Sequence, residues 1–123
     1  MKPVIAPEDL ERYRLTFRRR QAEREVWQRS RQQQGQQIAR QAAQLLKQSF
    51  GAQRVWLFGS MLTPERIRAE SDIDIAVEGL ADERYLEALG QLLDLSDFSV
   101  DLVQVEYARE RLRSAIARKG VLL

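Results

Sequence analysis

Residues 58–77 read FGSMLTPERIRAESDIDIAV, and this stretch decides how the chain folds. It begins at the end of a short apolar run, residues 54–58 (RVWLF), which is typical of a β-strand. It ends with residues 72–77 (DIDIAV), where acidic and aliphatic side chains alternate at the two-residue period of a strand. A third run of this kind, residues 100–105 (VDLVQV), predicts another strand, so the chain should form a small sheet.

Two helical patterns precede the strands. Residues 8–27 are predicted to be helical, because acidic residues stand at their start, and residues 36–50 follow as an amphipathic helix. Gly51 is well placed to end that second helix. The segment between them, residues 28–37 (QRSRQQQGQQ), has no apolar side chain, so we do not expect it to pack into a core. It is either an exposed continuation of the helix or a flexible joint near Gly35.

Two further helices are predicted, over residues 82–95 and 106–119, and the tail after Gly120 is a candidate edge strand. The apolar side chains expected to face inward are Tyr85, Leu86, Leu89, Leu92 and Leu93 in the first helix and Leu112, Ala115 and Ile116 in the second. This order predicts an α/β (α+β) fold with a mixed sheet of three to four strands, flanked by helices and preceded by a long N-terminal helical arm. We assign residues 1–35 to the basic arm and residues 36–123 to the domain that contains the sheet.

The composition excludes several kinds of site. The chain has 123 residues, which fits one domain, and it contains neither His nor Cys. Zinc and copper sites are therefore not expected, and a Ser-His-Asp triad is impossible. Any metal must be held by oxygen, which points to magnesium, calcium or manganese. No apolar run is long enough to cross a membrane and no signal peptide is evident, so we expect a cytoplasmic protein without a membrane partner.

Charge is divided unevenly along the chain. Residues 1–50 hold 11 Lys and Arg against 5 Asp and Glu, a balance of +6, whereas residues 51–123 have a balance of −4. The basic arm is either a solvated helix face or a surface for an acidic partner, nucleic acid or a second copy of the chain. Arg18-Arg19-Arg20 resembles a nucleic-acid patch only in composition, so we do not expect a nucleic-acid partner. The formation of homo-oligomers through the arm is an alternative that the sequence leaves open.

Three acidic residues form the first element of a candidate site. Asp72 and Asp74 are two apart on a predicted strand, so their side chains share one face and repel each other. Asp101 lies among aliphatic residues on a strand expected to run beside them, where burial without a partner is costly. Either these acids face water at strand ends, or they form a three-carboxylate site for a hard cation such as Mg2+.

Gly59 and Ser60 form the second element, directly after the first strand. Free N–H groups of a turn at a helix start bind phosphate oxygens, glycine permits close approach, and the Ser60 hydroxyl adds a donor. A bare Gly-Ser pair is more often a simple turn at the end of a strand. The combination with the three acids is much more specific than either element alone.

Together with VDLV at residues 100–103, residues 58–77 resemble the minimal nucleotidyltransferases of the DNA polymerase beta superfamily. The signature of these enzymes is Gly-Ser, about ten residues, Asp-x-Asp, and a third acid on a later strand. The resemblance covers roughly residues 36–123 and leaves the arm outside. The spacer, residues 61–71, has 11 residues here, and Met61-Leu62 stands where many members carry Arg.

The resemblance implies a role for each matching residue. Gly59 and Ser60 would hold the β- and γ-phosphates of a nucleoside triphosphate. Asp72 and Asp74 would coordinate Mg2+, with two ions expected. Asp101 would bind the second ion and orient or deprotonate an acceptor hydroxyl, so all three acids count as catalytic residues and metal ligands.

The resemblance also implies a reaction and a partner. The acceptor attacks the α-phosphate, which transfers a nucleoside monophosphate, AMP from ATP, and releases pyrophosphate. Arg66 and Arg68 are further candidate ligands of the triphosphate. Many stand-alone members are antitoxins that silence a HEPN-type toxin by adenylylating a tyrosine, so such a toxin is the implied partner. The alternative is a catalytically weak module of the same fold that neutralises or binds a partner by docking.

Overall fold

The structure, a computed structural model, describes residues 4–123, so the first three residues of the predicted arm lie outside the described part. The helices and strands are α1 (Pro7–Phe50), β1 (Arg54–Phe58), β2 (Ile73–Glu78), α2 (Tyr85–Leu93), β3 (Val100–Gln104), α3 (Glu110–Lys119) and β4 (Val121–Leu122). Short 3-10 turns occupy Gly59–Leu62, Pro64–Arg66, Asp82–Arg84 and Val105–Tyr107. The predicted α/β fold with a long N-terminal helix is confirmed.

The four strands form one mixed sheet in the order β3-β2-β1-β4. Strand β1 pairs antiparallel with β2 and with β4, whereas β2 pairs parallel with β3. Helix α2 makes the crossover that a parallel pair requires. The predicted edge strand in the C-terminal tail is thus present as β4.

The two helices predicted before the sheet are one continuous helix, α1, of 44 residues. It is roughly 66 Å long by the usual helical rise. Pro7 occupies its first turn, where the missing N–H costs nothing, and acidic residues follow. Gly51 ends it in the left-handed conformation, with φ of 70°, and its N–H donates to the Leu46 carbonyl. Of the two alternatives for residues 28–37, the continuation of the helix is the one found, and the division at residue 35 stays a prediction.

The core lies between one face of the sheet and helices α1 and α2. Val55, Leu57 and Ile75 come from the sheet, and Leu46 comes from α1; each is at most 2% exposed. The same stripe of α1 carries small side chains that let the helix approach the sheet closely: Ala39, Ala42 and Ala43. By contrast, none of residues 4–27 is buried, so the first part of α1 extends past the core.

Two expectations about packing were wrong. Residues 28–37 do contribute to the interior, because Gln28 is only 6% exposed and Gly35 is buried. This stripe of α1 faces the connection between β1 and β2, whose backbone carbonyls accept hydrogen bonds from polar side chains. In α2, Leu86 is 78% exposed and Leu93 is 43% exposed, because the buried stripe consists of Ala88 and Leu92 with Tyr85 and Leu89 beside them.

No helix among residues 4–123 has both the length and the apolar character that crossing a membrane requires.

Replacing Gly35 by Ala tests how closely α1 packs. A Cβ at Gly35 would lie 2.5 Å from Sδ of Met61, which is fully buried and has little room to move. Overpacking of this kind costs about 1 to 3 kcal/mol, more than the ~1 kcal/mol that Ala gains in helix propensity. We expect Gly35→Ala to lower the free energy of unfolding in urea by about 1 kcal/mol.

Gly90 of α2 provides the matched control, because no atom lies within 4 Å of a Cβ built there. Gly90→Ala should raise the free energy of unfolding by up to ~1 kcal/mol. Equal stabilisation by both substitutions would show that α1 does not press on Met61.

Candidate active site

The pairing of the strands brings three of the predicted site residues together: Gly59, Asp74 and Asp101. In the antiparallel pair of β1 and β2, Phe58 lies opposite Asp74, so the Gly59 turn follows directly beside the start of β2. In the parallel pair of β2 and β3, Asp74 lies opposite Asp101. Neighbouring strands are about 4.8 Å apart, and residues paired in this way point to the same face. Asp74 and Asp101 are therefore side by side.

The two faces of β2 differ in burial. Ile73 and Ile75 are 0% exposed and point into the core, whereas Asp74 points to the other face and is half-buried. Asp101 and Asp72 are exposed. Asp72 was predicted to lie on the strand, but β2 begins one residue later, where the Ile73 N–H donates to the Ser99 carbonyl. Asp72 thus lies just outside the hydrogen-bonded ladder.

Asp74 is the one of the three acids whose pKa is clearly raised. Burial is the largest cause that raises the pKa of the Asp74 carboxyl from its usual 3.8 to about 6. The negative charges of Asp101 and then Asp72 raise it further. Asp101 and Asp72 are therefore close enough to Asp74 to influence its carboxyl.

No basic side chain neutralises these acids within residues 4–123. The ion pairs there join Arg12 to Asp9, Arg54 to Glu78 and Arg84 to Glu87, all on other parts of the surface.

The donor chemistry of the three acids fits a hard divalent cation. All available ligands are carboxylate oxygens, their repulsion is uncompensated, and the chain has no His or Cys to compete. Across the described range, no three acidic side chains are drawn together into a complete metal site. Asp72, Asp74 and Asp101 are the residues that could hold such an ion.

Gly59 is fixed by two separate requirements. Its φ of 79° lies in the left-handed region that side chains disfavour. A Cβ at this position would also overlap Oδ2 of Asp74. Glycine thus allows the turn after β1 to lie directly against the Asp74 carboxylate. Ser60 follows in the same 3-10 turn and is partly buried.

A cleft of about 540 Å³ opens beside the turn, and we call it the Gly59 cleft. Its lining residues are Phe58, Gly59, Leu62, Thr63, Arg66, Ala115 and Lys119. Arg66 and Lys119 are the only charged residues among them, so the cleft is cationic and suits an anion such as a polyphosphate. Arg68 does not line it; its backbone N–H donates to the Ser71 hydroxyl, and its role stays a prediction.

Sequence reasoning missed two groups of residues at this site. Lys119 enters the cleft from the end of α3, and no local pattern distinguishes it from other basic residues on a helix surface. Gln28, Gln32 and Gln36 donate hydrogen bonds to the connection between β1 and β2. Their spacing of four residues places them on one stripe of a helix, but a solvated polar face has the same spacing, so the sequence did not identify them.

Comparison with known proteins assigns the family. A family model described as "Polymerase beta, Nucleotidyltransferase" matches residues 40–123. The chain belongs to the polymerase beta nucleotidyltransferase family. The match of this nucleotidyltransferase domain begins inside α1 and contains all seven predicted site residues. No curated protein matches the chain.

Solved structures extend the resemblance. The nucleotidyltransferase chain is 27% identical to one in a crystal structure of the toxin–antitoxin pair MntA–HepT, with 71% of this chain and 69% of that chain covered and a TM-score of 0.55. A toxin–antitoxin structure with AMP-PNP gives 30% identity, coverage of 64% and 66%, and a TM-score of 0.56. A third structure holds a tri-AMPylated HEPN toxin from Shewanella oneidensis in complex with an MNT antitoxin. It is 27% identical to this chain, with 72% of this chain and 70% of that chain covered and a TM-score of 0.56. The predicted resemblance to minimal nucleotidyltransferases is confirmed.

The raised pKa of Asp74 makes a prediction about stability. Because the folded state binds this proton more tightly than the unfolded state, the free energy of unfolding of the metal-free protein should fall as pH rises from about 4 to about 6. Asp74→Asn should remove this contribution and stabilise the protein at pH 7 by about 1 kcal/mol, a value reduced for the partial exposure of the carboxyl. Urea unfolding with EDTA across this pH range measures both effects.

Glu70→Gln serves as the control. Glu70 is an exposed acid in the connection between β1 and β2 and is not one of the three candidate metal ligands. It should leave the pH dependence unchanged. A parent protein whose stability rises between pH 4 and pH 6 as much as that of Asp74→Asn would contradict the raised pKa.

Proposed function

We propose that the protein is a metal-dependent nucleotidyltransferase that moves AMP from ATP to a hydroxyl group of a partner protein in the cytoplasm. The observation that carries this proposal is the pairing of Asp74 with Asp101 on adjacent strands, with the Gly59 turn against Asp74. Structural proteins have no need for repelling carboxylates beside a cationic cleft, whereas phosphoryl chemistry needs both.

The three acids would hold the metal. Asp72, Asp74 and Asp101 supply oxygen ligands for Mg2+, two ions being expected from the family. Mg2+, when bound, would neutralise the negative charge that develops on the phosphate oxygens. Burial, and then the negative charges of Asp101 and Asp72, raise the pKa of Asp74, and a bound cation would offset the repulsion among these charges.

The Gly59 cleft would hold the triphosphate. Gly59 lets the nucleotide approach the backbone closely, and the Ser60 hydroxyl provides a donor for a phosphate oxygen. Arg66 and Lys119 line the cleft and would neutralise the β- and γ-phosphates.

The reaction is a nucleotidyl transfer whose atoms balance without a further reactant. The acceptor oxygen forms a bond to the α-phosphorus of ATP, the bond from that phosphorus to the bridging oxygen breaks, and pyrophosphate leaves. The hydroxyl proton passes to a carboxylate, for which Asp101 is the proposed group because it is exposed at the edge of the site. The remaining residues orient the nucleotide for in-line attack.

A HEPN-type toxin is the proposed partner, with this chain as its antitoxin. The similar solved structures are toxin–antitoxin complexes, and one of them contains an AMPylated HEPN toxin. AMP-PNP in another supports an adenine nucleotide as the substrate.

Transfer of AMP should depend on the carboxylates of Asp72 and Asp74. We expect Asp72→Asn/Asp74→Asn to lower Mg2+-dependent transfer of AMP from α-labelled ATP to a co-purified, neighbour-encoded toxin by at least about 100-fold. Mass spectrometry of that toxin should show a gain of one or more AMP units with the parent protein and none with the variant. The exposed-acid variant Glu70→Gln is the control and should retain activity.

Transfer that persists in the double variant would remove these acids from the mechanism. A docking module remains the second candidate, because the acids are not drawn together into a complete metal site within residues 4–123. The triple variant Asp72→Asn/Asp74→Asn/Asp101→Asn separates the two functions. If it neutralises the toxin fully, the protein acts by docking rather than by catalysis.

A further inference from the structure

We propose that Gln28, Gln32 and Gln36 of α1 are positioning residues that fix the Gly59–Ser60 turn for its phosphate ligand. We call these three residues the glutamine ladder, and we call residues 59–72, between β1 and β2, the site loop. The phosphate role of the turn rests on the proposed function, but the attachment of the site loop to α1 does not.

The site loop has little backbone anchorage of its own. Its backbone hydrogen bonds between turns are local: Thr63 to Ser60, Arg66 to Thr63, Ile67 to Pro64 and Ser71 to Arg68. The Arg68 N–H also bonds within the loop, to the Ser71 hydroxyl. Within residues 4–123, the side-chain hydrogen bonds that join this loop to the rest of the chain all come from the glutamine ladder.

The ladder holds the loop at two places. Gln28 Nε2 donates to the Ile67 carbonyl at 3.1 Å and to the Glu65 carbonyl at 3.4 Å. Gln32 Nε2 and Gln36 Nε2 donate to one carbonyl, that of Met61, at 3.1 and 3.2 Å. Both acceptor positions of the Met61 oxygen are thereby used.

The double contact at Met61 bears directly on the site. Met61 follows Ser60 in the chain, so a Met61 carbonyl held from two sides fixes the peptide plane next to Ser60 and limits how far the turn can shift. The Met61 side chain is 0% exposed and lies against Gly35, on the same stripe of α1. The turn is therefore fixed by hydrogen bonds and by packing, both from a part of α1 that precedes the family match at residue 40.

Burial places one end of the ladder in the interior, whereas Gln32 and Gln36 are half-buried. Gln28 is only 6% exposed, although exposed side chains surround it along the helix. A buried amide is retained only where its hydrogen bonds are satisfied, and no buried side-chain nitrogen or oxygen among the described residues lacks a partner. The ladder thus replaces the apolar contacts that a helix stripe ordinarily makes.

Paired variants of the full-length chain test the ladder. Gln32→Met/Gln36→Met keeps side-chain length and helix propensity but removes both donors to Met61. Gln33→Met/Gln37→Met is the matched control, because both residues are exposed on the same turns of α1. Amide hydrogen exchange reports on the site loop directly, and steady-state kinetics with ATP and Mg2+ report on the turn.

In the ladder variant we expect exchange in residues 59–67 to become about tenfold faster, the factor that loss of one to two hydrogen bonds predicts, while β2 and β3 stay unchanged. The KM for ATP should rise about tenfold with kcat within about twofold, because phosphate contacts are weakened alike in the ground and transition states. A purely structural role would instead reduce the active fraction and lower kcat at constant KM. The control variant should match the parent in both measurements.

Unchanged exchange in residues 59–67 overturns the proposal, whatever the kinetics show. A fall in kcat at constant KM overturns it as well. If the parent protein transfers no AMP, the proposed function fails, and the hydrogen exchange result alone then decides whether the ladder holds the loop.

Discussion

The register of β2 against β3 sets two carboxylates side by side on the sheet. Asp74 and Asp101 are partners in this parallel pair, and Ile73 and Ile75 anchor the same strand in the core. Because side chains alternate between faces, a slip of one residue would bury the acids and expose the isoleucines. The apolar core therefore enforces a repulsion that the acids would otherwise relieve by separating, and this is the physical basis of the proposed cation site.

The long helix connects this site to the rest of the molecule in two ways. Its C-terminal half packs small and aliphatic side chains on the sheet, and its middle supplies amides to the site loop. The nucleotidyltransferase match begins at residue 40, so the amides belong to residues that the family model does not match. A segment outside that match thus supports the residues that carry the family pattern.

The strands and the acids were predictable from the sequence because their signals are local. Alternation in residues 72–77 indicates both the strand and the outward face of Asp74, and the glycine after β1 marks the turn. The glutamine ladder was not predicted, because a polar helical stripe has the same pattern whether it faces water or backbone carbonyls. Lys119 was missed for a related reason, since only the packing of α3 brings it to the Gly59 cleft.

The prediction of which α2 side chains face the core was partly wrong. Five apolar residues were expected to face inward, which is more than a helix of nine residues buries on one side. Leu86 remains exposed, since the sheet offers room for only the stripe of Ala88 and Leu92. The start of β2 was placed one residue early, because alternation continues past the last ladder hydrogen bond. These boundaries depend on tertiary contacts rather than on local pattern.

The pairing of β1 with β2 fixes the strands, whereas the loop between them is closed by local turns. This difference has a consequence for how the length of the loop can vary. Loop closure entropy changes slowly with residue number, so the connection after β1 accommodates its 11-residue spacer without moving either strand. Insertions and deletions among relatives should therefore accumulate between Ile67 and Asp72, beyond the contacts of the glutamine ladder. An alignment that forbids gaps there would overlook chains with the same chemistry.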